Sequence, residues 1–388
     1  MKKQAIILLL FFVSISIFGQ TFSKKYITYR SRFREDFLTK TNNPYKKANF
    51  IPIENITTKG QPIYADETWY LGFYLGVLAT EYKLRQKDNN PKGVKETANE
   101  IENILITIDR LDSVAETYWG KPAELNGFFI REDVTKKHNP MSQDQVWSLY
   151  YGFRLIKKFV DDEAIINHTQ EITKRILYGI YPVIKEKKNG KVKRKWCIVN
   201  PNKEMVQKKV ELSVTKYAFA QTASFIVDSN LFLKGSRNLW TRFLFSASRA
   251  RLYHNLLMKK RTHMYNTYGV TNLTVLAHPK KALKYSLKIE KTVTKYFPKG
   301  SFAHFPLTAA LLYYGEVPHD RKYYQEILDS APMEGPNYKA APPWNTLSII
   351  ACPWQDGANG NFNGLDYLLL HNLVEIYFSR ESTSNQAH

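Results

Sequence analysis

The sequence predicts an all-α protein, an α/α toroid of about six helix pairs with one small β-hairpin excursion. Three observations carry this expectation. Apolar residues recur at helical spacing along nearly the whole chain. About a dozen such segments follow one another, and no Pro/Gly/Ser-rich linker divides them. Strand signals are few. Inner and outer helices alternating around a ring fit that count. An open superhelix of helix pairs is the rival, and no fixed period of roughly 34 or 40 residues supports it.

The first element is a leader. "MKKQAIILLLFFVSISIFGQ" places Lys2 and Lys3 before an apolar run from Ala5 to Val13 that continues to Phe18. Ser14, Ser16 and Gly19 supply small residues near a cut at Gly19 or Gln20. This is the pattern of a secretory signal peptide over residues 1–20, too short to span a bilayer. No Cys follows the cut, so no lipoprotein anchor is expected, and no later stretch reaches the length of a span. The chain is therefore expected to be secreted or periplasmic, with residues 21–388 as a single domain.

The helices follow in order. "DETWYLGFYLGVLATEYKLRQ" covers residues 66–86. Residues 94–116 set Ile101, Ile104, Leu105, Ile108 and Leu111 on one face. A third helix runs over about 142–160, and "EAIINHTQEITKRILYGI" gives a fourth. Further helices are expected near 211–228, 238–257, 281–296, 302–314, 321–329 and 365–378, with shorter pieces near 267–277 and 344–350. Between them, "VIKEKKNGKVKRKWCIV" places Asn189-Gly190 between two Lys-rich arms, the chemistry of a type I′ hairpin. Another short strand is expected near 128–131.

Two helices are unusually aromatic. One carries Trp69, Tyr70, Phe73 and Tyr74 with Gly72 and Gly76; the other carries Trp147, Tyr150, Tyr151 and Phe153 with Gly152. A glycine costs a helix roughly 1 kcal/mol against alanine, so close packing must compensate. Both read as inner helices. Their aromatics serve equally as core or as ligand surface.

The formal charge is +21, and removing the two leader lysines leaves +19. Such a field attracts polyanions. For an exported chain the natural partner is an acidic poly- or oligosaccharide, although many exported proteins are simply basic. Cys197 and Cys352 are the only cysteines; export permits a bridge between them, and alone they cannot form a zinc site. No HExxH or paired Cys/His spacing, G-x-S-x-G, P-loop or dinucleotide fingerprint is present, so neither metal nor cofactor is expected. No nucleic-acid-binding module is recognisable.

Three stretches carry a family resemblance: "YADETWYLGFYLGVLATEY", "MSQDQVWSLYYGFRLIKKFVDD" and "WQDGANGNFNGLDYLLLHNLVEIY". With them the chain resembles exported Bacteroidota-type α/α-toroid carbohydrate-active proteins. It is similar to unsaturated glucuronyl hydrolases in placing an acidic residue at the start of one inner helix and another on a second. The likeness covers the helix pattern of most of the chain and is specific in those three stretches. It implies a carbohydrate-active enzyme.

Glycoside hydrolysis uses two carboxyl groups flanking a bond. Asp66, with Glu67 as substitute, and Asp144 each begin an aromatic helix, and the starts of inner helices converge on one rim. Asp at a helix start is also a capping residue. Gln145 and Trp147 stand beside Asp144 as candidate substrate contacts. A glycine-rich C-terminal stretch adds Trp354, Gln355 and Asp356, amide and indole chemistry suited to sugars, although Asn-Gly pairs also make turns. Elimination is the enzymatic rival: "HNLLMKKRTHMYNTYG" gathers His254, Arg261, His263, Tyr265 and Tyr268, the base and cation types it needs. A non-catalytic glycan-binding protein is the third reading. The expectation is hydrolysis of an acidic glycan, ahead of elimination and of binding alone.

Overall fold

The computed structural model describes residues 22–40, 50–53, 55–64, 67–120, 125–135, 137–185, 192–207, 213–229, 298–313, 315–344 and 360–384. The protein is mostly helical, with several small antiparallel sheets. The described α-helices are α1 (Lys24–Arg32), α2 (Glu67–Lys87), α3 (Pro91–Tyr118), α4 (Gln143–Phe159), α5 (Glu163–Ile180), α6 (Ser213–Ile226), α7 (His304–Tyr313), α8 (Arg321–Asp329) and α9 (Leu365–Ser384). A π-helical turn, Phe33–Phe37, extends α1. The expected helices at 238–257, 267–277 and 281–296, and the leader 1–20, lie outside the described residues.

The helices form an inner and an outer layer. In α2 nearly every residue from Glu67 to Tyr82 is buried, so apolar side chains occur all round it. α3 and α5 instead bury one stripe, as outer helices do. Contacts fix the directions. Trp69 and Phe73 of α2 meet Trp147 and Tyr151 of α4, and Gly76 lies against Leu155. Both numberings rise together, so α2 and α4 are parallel. Tyr150 and Arg154 of α4 meet Phe219 and Phe225 of α6 in the same sense. Trp147 and Tyr151 reach Phe305 and Thr308 of α7, and Gly76 and Val77 of α2 meet Leu369 and Asn372 of α9. Five inner helices therefore present their N-termini at one end.

Glycine makes the α2–α4 contact. A Cβ on Gly72 would fall inside the Ser148 backbone, and one on Gly152 would meet the Gly72 carbonyl. Two backbones touch where side chains would hold them apart, and Ser148 Oγ donates to the Trp69 carbonyl across the contact.

Helices α1, α3 and α5 pack against this layer and are tied to it and to each other by charged groups. Arg30 of α1 lies buried between Glu81 and Glu100, at 3.1 and 2.7 Å, and donates to Tyr74 Oη at 2.9 Å. This network joins α1, α2 and α3, and each buried charge has a partner, as burial requires. On the outer face His168 bridges Glu102 and Asp109, linking α5 to α3. Lys25 Nζ donates to the carbonyls of Leu328, Asp329 and Ala331 and so closes the C-terminus of α8.

The sheets are short. β1 (Leu38–Lys40) pairs with β2 (Phe50–Pro52), and β3 (Asn55–Thr57) lies between β4 (Pro62–Ile63) and β9 (Gly360–Phe362). β9 thus ties the C-terminal helix to the segment before α2. The expected hairpin is present as β5 (Val183–Lys185) and β6 (Val192–Arg194), with Val183 opposite Arg194. Its Asn189-Gly190 turn lies outside the described residues. β7 (Ile198–Val199) and β8 (Met205–Gln207) form a further pair. The strand expected near 128–131 is a single bridge, Ile130 to Pro140. No helix among the described residues is long and apolar enough to cross a membrane. Cys197 is buried with a free thiol, and Cys352 lies outside the described residues.

Candidate functional site

Because the inner helices are parallel, their first turns gather at one end. Glu67 opens α2, Asp144 lies in the first turn of α4, His304 opens α7, and Asp366 is the second residue of α9. The loop 125–142 holds this end together. Arg131 accepts the Thr68 N–H on its carbonyl at 3.2 Å and donates its own N–H to Asn139 at 2.9 Å. Its guanidinium donates to the Pro140 carbonyl at 3.0 Å and lies 3.5 Å from Ser142 Oγ. Arg131 thus fixes the start of α2 against the start of α4. The loop is anchored in turn by buried Asp112, which accepts the Gly127 N–H at 2.9 Å and the Asn126 N–H at 3.3 Å. Burial pushes the Asp112 carboxyl up to about 7, and those two N–H groups and Arg175 oppose the shift.

The cap of α4 is Ser142, not Asp144. Gln145 Oε1 accepts the Ser142 N–H at 2.7 Å, and Ser142 Oγ lies against both Gln145 Oε1 and Asp144 Oδ1. This is a capping box. Where aspartate does cap a helix here, it accepts the orphan N–H groups itself, as Asp162 does from Ala164 and Ile165 and Asp320 does from Tyr323. Asp144 is partly exposed and complements the helix dipole.

Gln145 is fully buried, its amide oxygen held by Ser142. Trp147 is 1 % exposed, and its ring stacks on Trp69 at 4.8 Å and 7°. Of these two residues, expected to contact substrate, Trp147 is packed in the α2–α4 contact and Gln145 is held in the capping box of α4. Glu67 is fully buried at the start of α2. Asp66, His263, Tyr265, Tyr268, Trp354, Gln355 and Asp356 lie outside the described residues, as does the His254–Arg261 part of the elimination candidate.

Two groups escaped the sequence reading. His304 is fully buried among Phe73, Tyr151 and Phe305, and neither ring nitrogen has a hydrogen-bond partner. Burial lowers it to about 3, so the imidazole is neutral. A lone His in the apolar run "GSFAHFPLTAALLYY" carries no spacing that marks it. Asp366 was read as part of the sugar-suited C-terminal stretch or as a cap of the last helix, and not as a catalytic carboxyl. It accepts the Tyr367 N–H at 2.8 Å, while Asn363 Oδ1 accepts the Leu365 N–H at 3.1 Å. Burial raises the Asp366 carboxyl to about 6, and the Tyr367 N–H and Arg32 oppose the shift. Among the described residues no three His, Cys, Asp or Glu side chains converge as a metal-binding group.

The arrangement offers carboxyl groups of differing exposure, with a neutral imidazole, at the shared end of one helix layer. Environments that differ in this way let similar groups take different proton-transfer roles. In comparisons with known proteins, no family model, no curated protein and no solved structure matches the chain.

Proposed function

We propose that the chain is an exported, carbohydrate-active α/α toroid that hydrolyses glycosidic bonds in an acidic poly- or oligosaccharide. The observation that carries this reading is the parallel inner layer, which brings the first turns of α2 and α4 to one end with Glu67 and Asp144 on them. Glycoside hydrolysis needs two carboxyl groups on either side of a sugar bond. Asp144 is the partly exposed member, and its partner is Asp66 or Glu67. The ring itself is part of the proposal: the parallel run of α2, α4, α6, α7 and α9, with α3 and α5 antiparallel beside it, is the kind of arrangement a toroid requires. The basic balance favours an anionic substrate, and the leader pattern of residues 1–20 favours export.

Elimination is the second reading, and His304 favours it. An imidazole and a tyrosine, the residue types β-elimination uses, lie together at this end, and exposing them to a substrate would need the surrounding aromatics to open. One experiment separates the readings. The purified protein is incubated with a panel of acidic and neutral glycans, and reducing ends and unsaturated-uronate absorbance are followed together. Hydrolysis predicts reducing ends without new absorbance. New absorbance transfers the reading to elimination, and neither signal on any glycan removes both.

A further inference from the structure

We infer that Tyr118, Trp119 and His138 form a sugar-stacking subsite on the same rim as Asp144, taking a pyranose ring of the glycan chain. This inference rests on the glycan reading above.

Among the described residues most large aromatics are buried, but Tyr118 is 57 % exposed. It ends α3, which runs opposite to α2, so it lies at the end where α2 begins. The links are short. Thr68 bonds to Arg131, Arg131 bonds to Asn139, and the neighbouring His138 stacks on Tyr118. Arg131 also reaches Ser142, beside Asp144.

The rings form a built surface. His138 stacks face to face on Tyr118 at 4.3 Å and 27°, so each ring braces one face of the other and holds the exposed Tyr118 ring in place. Trp119 stands against Tyr118 at 4.6 Å and 84°, a wall at one side, and is itself braced edge-on by Phe128 at 5.3 Å. The backbone holds the group in place. The Trp119 N–H bonds back to Ala115, and Gly120 turns the chain out of the helix at φ +76°, a conformation glycine supplies. His138 itself sits at φ +50°, unusual outside glycine and kept because the Ile130–Pro140 bridge fixes its loop. His138 Nδ1 is buried without a protein partner.

A flat, rigid, half-wet aromatic face suits the C–H face of a pyranose, with polar edges left to water. Exposed Lys137 adds positive charge beside it, which favours a uronate-bearing chain. An isolated exposed tyrosine would be ordinary. A stacked group of three on the rim that carries the acidic first turns is a continuation of that site.

The test is calorimetric titration of the protein with hexasaccharides of galacturonate, alginate and hyaluronan, with cellohexaose as the neutral comparison. The wild type binds at least one acidic hexasaccharide. Tyr118→Ala loses about tenfold in affinity, roughly 1.4 kcal/mol, with unchanged melting. Tyr118→Phe keeps the affinity, and His138→Ala loses it in the same direction as Tyr118→Ala. Equal affinity of wild type, Tyr118→Ala and His138→Ala overturns the subsite and leaves the Asp144 reading standing. No binding of any hexasaccharide to the wild type overturns the subsite, and loss of turnover in the glycan panel as well takes the glycan reading with it.

Discussion

Ser142, Asp144 and Gln145 stand within four residues and do different work. All three types occur at helix starts, so the sequence alone left Asp144 as cap or catalyst. The spacing Ser-x-x-Gln is a capping-box signal that the sequence reading passed over when it took Gln145 as a substrate contact; the hydrogen bonds of Ser142 and Gln145 reveal it. His304 left no such trace, because a single polar residue in an apolar helix has no period to disturb. Asp112 was equally hidden, since its role depends on a loop that approaches from 14 residues away. Its behaviour with pH can be worked out. The folded-state value, about 7, lies above the ordinary carboxyl value, so the folded protein holds this proton more tightly. The associated stability is present below about pH 4 and is lost as pH rises to about 7. Raised values at Asp366 and His168 act in the same direction. Buried His304 and His371, whose values are lowered, act in the opposite direction. Asp112 is therefore read by difference: the melting temperature of the wild type relative to Asp112→Asn falls between pH 5 and 7. Identical slopes in wild type and variant would contradict this account of Asp112.

Elements with strong apolar periodicity were legible, and their observed ends differ from the expected ones by a few residues. α1 was missed because its buried face is Tyr26, Tyr29 and Arg30, which reads as polar until Glu81 and Glu100 are known to meet the arginine. The β5–β6 hairpin was legible through its Asn-Gly turn, and the other two- and three-residue strands were missed because alternation cannot show over so short a run. The glycines of the inner helices were legible as a cost needing compensation, and the compensation is backbone contact. Gly72→Ala tests it: the new Cβ overlaps the Ser148 backbone, which no rotamer change relieves. The expected loss is about 1–3 kcal/mol, the range for overpacked cores, read as a lower melting temperature or denaturant midpoint. A neutral or stabilising Gly72→Ala, the result for an ordinary exposed helix glycine, would mean that α2 and α4 do not touch in this way.

The whole molecule follows from the direction of its helices. The mostly helical character and the aromatic pair α2 and α4 were readable from periodicity. The shared direction of α2, α4, α6, α7 and α9 entered only through the toroid expectation that inner helices start on one rim; what fixes it is contact between residues far apart in sequence, such as Tyr151 with Thr308 and Asn372 with Val77. That direction gives the acidic first turns a common end and underlies the proposal that Asp144 works on a glycan there. Asp144→Asn is the direct test. Ser142 and Gln145 retain the cap, so the variant should melt within about 1 kcal/mol of the wild type. On a glycan that the wild type turns over, its rate should fall about 10²-fold or more, the size of a lost general acid or base. Wild-type turnover by Asp144→Asn on that glycan would contradict the account and leave Asp144 a dipole-complementing residue of α4.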